Sequence, residues 1–170
     1  MTNKSRITTG FYDSWSPVQK GKFAAMKVRA PAIMARLKKG LTLDIGCGNG
    51  YFEREFSGNF IGVDTDEKML RGSVVVFPRI LGDGSRLPFA DYSFDAVVSV
   101  DTMHLVAGND FVRVLKPGGI ALLATFFNDN NYEERKAMLV DKLDGFTILD
   151  EFTINGREKE YVVAAEKPTF

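Results

Sequence analysis

Three carboxylates mark the ends of three apolar runs early in this chain: Asp44 in LTLDI, Asp64 in NFIGVD and Asp83 in PRILGD. After Asp44 comes GCGNG, with Gly46, Gly48 and Gly50 at alternate positions. Glycines that follow a buried strand make a turn with no side chain to hold a ligand away. The spacing excludes two phosphate-binding loops. G-x-G-x-x-G would need glycine at 51, which is Tyr51, and no G-x-x-x-x-G-K-[ST] is present. An acid beside the turn repels a pyrophosphate and suits a cation such as an amine or a sulfonium.

Asp64 lies eighteen residues after Gly46. An acid at the end of a second strand accepts hydrogen bonds from vicinal ribose hydroxyls. Asp83, in GDGSRLPF, can accept from an exocyclic amine such as that of adenine. An amine, a ribose and an adenine with no phosphate is the inventory of S-adenosylmethionine. A tight turn without a ligand is the plainer reading of the glycines, and helix capping that of the two later acids.

These residues need strands to carry them. Residues 41–46, 59–65, 77–83, 94–101 and 120–127 read as five strands, separated by helical stretches at 49–56, 66–72 and 109–115. KPGG, 116–119, reads as a turn, and 131–143 as a helix. FTILDEF and YVVAAE form a last strand pair joined around Asn155-Gly156. Runs that are apolar throughout predict a parallel sheet covered on both faces. The alternation predicts a doubly wound α/β fold. With no helix between them, the last two strands should be antiparallel, at one sheet edge. Ahead of all this, 16–39 reads as a helix opened by Ser16-Pro17, broken at Pro31 and ended by Gly40, with Phe23, Met26, Ala30, Ile33, Met34 and Leu37 on one stripe.

The chain has 170 residues, 45% of them hydrophobic, one cysteine and no apolar run of bilayer length, which predicts one cytoplasmic domain and no membrane partner. Net charge is zero but uneven. Residues 1–40 hold nine Lys or Arg against one acid, and 41–170 hold thirteen against twenty-one. Such an arm favours an anionic partner, RNA included. Its alternative is plainer: Lys22, Arg29 and Arg36 on one flank of the stripe, and Lys20, Lys27 and Lys38 on the other, as solvated side chains edging a buried face.

LDIGCGNG, GVDTDEKML, GDGSRLPFADYSFDAVVSV and RVLKPGGIALLATF, in that order, make the chain similar to the class I S-adenosylmethionine-dependent methyltransferases of the type 11 group, over about Leu41 to Phe126. The resemblance implies a Rossmann-like, seven-stranded, mostly parallel sheet with the last strand antiparallel. It implies that backbone groups of Gly46, Cys47 and Gly48 hold the methionine part, with Asp44 behind them. Asp64 would take the ribose, Thr65 and Met69 would flank the adenine, Asp83 and Gly84 would meet its amine and ring, and Ser99 and Val100 would border the cofactor. His104, after the fourth strand, falls where the family places residues facing the methyl group, and Tyr12 falls in a segment often folded over the cofactor. These two are the candidate general bases. A structural histidine and ordinary aromatic packing are the alternatives, and Cys47 reads as a small packed residue.

The expected whole is a single domain, 1–170, built as a basic helical arm over the site (1–40), a cofactor-binding half (41–127) and a C-terminal helix with the strand pair (128–170). The sequence departs from the family in short segments at 69–83 and 104–114 and in having no inserted cap. The site would then be open, or covered by the N-terminal helix or by a second subunit in a homo-oligomer. The expected activity is methyl transfer to a small molecule. RNA or protein acceptors, and a non-catalytic cofactor-binding module, are the alternatives. A nicotinamide oxidoreductase is disfavoured by the missing third fingerprint glycine.

Overall fold

The computed structural model describes residues 14–72 and 75–170. Helix α1 spans Ser16–Arg29 and α2 Pro31–Leu37. Pro31 lacks the N–H that would continue α1, so Ala30 leaves helical geometry and Pro31 opens the next helix. Strand β1 (Leu41–Ile45) leads through the glycine turn into α3 (Tyr51–Glu55), β2 (Asn59–Asp64) into α4 (Glu67–Arg71), and β3 (Arg79–Leu81) into a long loop. Then come β4 (Phe94–Val100), a 3-10 turn at Met103–Leu105, α5 (Phe111–Val114), β5 (Leu115–Phe127), α6 (Tyr132–Lys142), β6 (Thr147–Asn155) and β7 (Lys159–Glu166).

The seven strands form one sheet in the order β3-β2-β1-β4-β5-β7-β6. The first five are parallel neighbours, and β7 runs antiparallel to both β5 and β6. The expected α/β fold and its antiparallel edge pair are therefore what the chain adopts. Alternation along each strand sorts the core into two layers. Ala96, Val98, Ile120 and Leu122 face α1, α2 and α3, whereas Leu43, Val97, Leu123 and Val163 face the other side with Leu139 of α6. KPGG is not a separate turn. It is absorbed into β5 as an irregularity where the pairing with β4 jumps from Phe94↔Leu115 to Ala96↔Ile120, with Gly118 at φ 72°.

Two contacts bring α1 over the carboxyl end of the sheet. Phe23 meets Phe52 and Phe56 edge-on at 5.4 and 5.7 Å between ring centroids, which locks α1 to α3. Lys22 corrects the sequence reading of a solvated flank. It is 4% exposed, and its ammonium lies 2.5 Å from Asp101, 2.8 Å from Glu160 and 3.3 Å from Glu158. The helical stripe is wider than the apolar residues alone suggested, because acids just past β4 and at the start of β7 converge beneath it. Among the described residues no helix is long and apolar enough to cross a membrane.

Candidate active site

The glycine turn follows β1 because Gly46 takes φ 82°, and a Cβ there would lie 2.0 Å from Thr102 Oγ1. Any other residue would be strained and would collide with the segment that ends β4. The Gly46 amide donates to the Val63 carbonyl at 2.8 Å, tying the turn to β2. Gly48 N–H donates to Asp64 Oδ2 and Asp66 N–H to Asp64 Oδ1, both at 2.8 Å. Asp64 thus braces both loops. Each of its oxygens keeps a further lone pair, so ribose hydroxyls can still be accepted. Thr65 is exposed beside it, and Met69 is buried on α4. The side chain of Asp66 caps α4 by accepting from the Lys68 and Met69 amides.

A shallow pocket opens at the turn, between Asp44, Gly46, Cys47 and Asn49 on one side and Val100 and Asp101 on the other. Gln19 and Phe23 of α1 complete its wall. Asp44 is 3% exposed and faces Glu53 of α3. Burial and then Glu53's charge push the Asp44 carboxyl well above the usual carboxylate range. Burial also raises Glu53, with Asp44 and Arg79 pulling part of the way back. Two buried acids with no basic side chain in contact among the described residues are a natural floor for a cation. Asn49 Oδ1, buried without a donor, offers one more acceptor. Burial and the charge of Asp44 drive the Cys47 thiol upward, so this cysteine is packed and protonated rather than nucleophilic.

The third acid sits on the loop after β3. Asp83 is exposed and accepts from the Ser85 amide at 2.8 Å, and Gly84 is buried against Ile45. Arg113 holds this loop by donating to the Leu87 and Phe89 carbonyls and pairing with Asp91 and Asp110. Ser99 is fully buried and donates to the Ile45 carbonyl at 2.8 Å, so its hydroxyl stitches β4 to β1 instead of facing the pocket. Tyr12 lies outside the described residues.

His104 stands on the 3-10 turn just past β4, its ring 5.8 Å from Phe126 and edge-on. Its Nδ1 is buried without a partner. Burial, and then Arg135, hold its pKa below the usual imidazole value, which keeps the ring neutral near pH 7. Lys142 fastens the following loop by donating to the Val106 and Gly108 carbonyls at 2.8 and 2.9 Å. Sequence reasoning missed Glu53, Asn49, Asp101 and Arg135. Glu53 had a signal, since it follows the glycine turn by less than one helical turn. Arg135 had none, because a charged residue on an exposed helix is ordinary.

A doubly wound sheet with a glycine turn and an acid at each of its first three strand ends defines the class I methyltransferase fold. Residues 43–123, just under half of the chain, match the family model for a methyltransferase domain, Methyltransf_11. An arginine-hydroxylase, NDUFAF5, of Mus musculus mitochondria is 38% identical over 109 residues, covering 56% of this chain and 31% of that protein. An uncharacterized methyltransferase of Mycolicibacterium vanbaalenii is 36% identical over 99 residues, covering 50% of this chain and 39% of that protein. The chain thus spans only about a third of the length of these relatives. Among solved structures, a methyltransferase of Thermotoga maritima described as a possible histamine N-methyltransferase superposes with TM-score 0.71 at 21% identity, covering 93% of this chain and 95% of that one.

Proposed function

We propose that the protein is an S-adenosylmethionine-dependent methyltransferase acting on a small molecule. One observation carries the reading: the paired buried acids Asp44 and Glu53 lie under the glycine turn with no basic side chain in contact among the described residues, as a cationic ligand requires. Bound S-adenosylmethionine supplies a methyl group activated on a sulfonium. The chain's part is to hold and align the reactants and to keep water out. Asp64 takes the ribose hydroxyls. Thr65 and Met69 edge the adenine, and Asp83 and Gly84 meet its amine and ring. Gly46, Cys47 and Gly48 hold the methionine part, with Val100 at its border. Neutral His104 accepts a proton at Nδ1 when the acceptor atom is a hydroxyl. The 1–170 chain works as one domain in this reading, with α1 closing the cofactor side.

A small acceptor is favoured over RNA by the state of the basic arm. Lys22 is enclosed by carboxylates, Arg36 pairs with Glu166 at 2.6 Å, and Arg29 stacks over Phe152. A cytoplasmic setting belongs to the proposal too, resting on the lone, buried, reduced Cys47 against a mouse relative named as mitochondrial.

Calorimetry with S-adenosylhomocysteine tests the cofactor: we expect saturable binding and a raised melting temperature. Absence of binding at millimolar ligand overturns the methyltransferase reading. The mouse relative's name makes hydroxylation the competing chemistry. Mass spectrometry of the acceptor after turnover separates the two, since a methyl group adds about 14 Da and a hydroxyl oxygen about 16 Da.

A further inference from the structure

Arg135, on the first turns of α6, carries the one cationic nitrogen among the described residues that is buried without a hydrogen-bond partner. Lys22, Arg36, Arg54, Arg71, Arg113, Lys116, Lys136 and Lys159 all pair with a carboxylate. Arg135 pairs with none among the described residues. Its guanidinium carbon stands 5.1 Å from the Phe126 ring centroid. Its Nε is buried from water and has no acceptor. A cation–π contact satisfies the charge in part but leaves the N–H donors open.

The same Phe126 ring carries His104 on its edge, with Nδ1 likewise buried and unpartnered. One phenyl ring therefore gathers an orphaned donor and an orphaned imidazole nitrogen. Phe126 is also tied to the cofactor side of the molecule: its amide donates to Asp101 Oδ1 at 2.8 Å, and Asp101 lines the pocket at the glycine turn. The Arg135–Phe126–His104 group thus lies at the carboxyl end of β4 and β5, joined to the glycine-turn pocket through Asp101.

We propose, resting on the methyltransferase reading, that the methyl acceptor is a small carboxylic acid whose carboxylate is bound by the Arg135 guanidinium beside the Phe126 ring, with its O–H or N–H toward His104 Nδ1. A guanidinium fork matches a carboxylate in two parallel hydrogen bonds. The single charge decides against a phosphate monoester. Next to Arg135 stands a neutral imidazole rather than a second cation, so the site balances one negative charge, not two. The orphaned Nδ1 asks for a donor on the same molecule, which a hydroxy or amino acid provides.

The test uses the full chain, labelled with ¹⁵N and saturated with S-adenosylhomocysteine. The Arg135 Nε–H signal, assigned by its loss in Arg135→Gln, is followed during titration with 2-hydroxybenzoate and 2-hydroxyhexanoate, and in parallel with 2-hydroxybenzamide and 2-hydroxyhexanamide. At least one acid should move the signal saturably while its amide does not. Arg135→Gln should weaken that acid about tenfold or more, with S-adenosylhomocysteine affinity unchanged. Silence from both acids, an equal response to the amides, or unchanged acid affinity in Arg135→Gln overturns the proposal. So does a response to inorganic phosphate or a short RNA with the acids silent. Failure of S-adenosylhomocysteine to bind at the outset strikes the methyltransferase reading instead, and is seen before any acid is added.

Discussion

Asp64 shows how one side chain can serve structure and ligand together. Its two oxygens brace the Gly48 and Asp66 amides, so its loss should loosen the glycine turn as well as remove bonds to a ribose. Asp64→Ala should therefore weaken S-adenosylhomocysteine by about 1.5–3 kcal/mol, read by calorimetry. Asp83→Asn should cost less, because an amide oxygen can still accept from Ser85 and from an amine. His104 acts at the other end of the site. If its Nδ1 takes the acceptor's proton, His104→Ala should lower turnover about 10²- to 10⁴-fold with cofactor affinity unmoved, and an unchanged rate removes the histidine from the chemistry.

At the scale of elements, α1 is the part whose docking matters most. Lys22 is the one cation in contact with Asp101, Glu158 and Glu160 among the described residues. Burial alone would lower its pKa, but Asp101 and Glu160 outweigh that and push the ammonium above its ordinary range. Lys22→Met should cost about 3–5 kcal/mol in urea unfolding, because it leaves buried Glu160 and half-buried Asp101 without their counter-charge. It should also weaken S-adenosylhomocysteine, since Gln19 and Phe23 lose their seat over the pocket. This interaction was invisible in the sequence. Glu158 lies 136 residues from Lys22, and nothing local links them. The break at Pro31, the strands around Leu43, Val63 and Val97, and the place of Gly46 were legible because each rests on near neighbours or a short period. The orientation of Ser99 was not, since a small polar residue near a strand end suits either face of the sheet. KPGG was legible as glycine-rich but not as a bulge, which depends on the pairing of Ala96 with Ile120.

Across the whole molecule, buried acids set how stability responds to pH. Asp44 and Glu160 are both held well above the usual carboxylate range, chiefly by burial, and Glu53 is raised as well. A carboxyl with a raised folded-state pKa binds its proton more tightly when folded. Its stabilisation is complete below about pH 4 and is lost as pH rises through the raised value. Asp95, Asp110 and Glu151, held low by Lys116, Arg113 and Lys136, work the other way, but their window lies below about pH 4. Thermal melts of the ligand-free protein should therefore show stability falling as pH rises above the unfolded carboxylate value of about 4, offset in part by His104, whose lowered pKa adds stability as pH rises toward 6.5. Asp44→Asn should flatten part of that slope and raise the melting temperature at pH 8, while weakening S-adenosylhomocysteine. A slope identical to the parent's would mean that Asp44 releases its proton at the same pH folded and unfolded.

The tie between Lys22 and the β6–β7 hairpin has a consequence during synthesis. A ribosome releases α1 early, when Glu158 and Glu160 are still unmade, and the nascent helix can rest on Phe52 and Phe56 but not on these acids. The wall of the glycine-turn pocket cannot reach its final seat until the last strand has emerged. Cofactor capture is thereby deferred until β7 has been made, and a chain stalled before residue 158 should fail to retain S-adenosylhomocysteine even though its glycine turn and all three strand-end acids are complete.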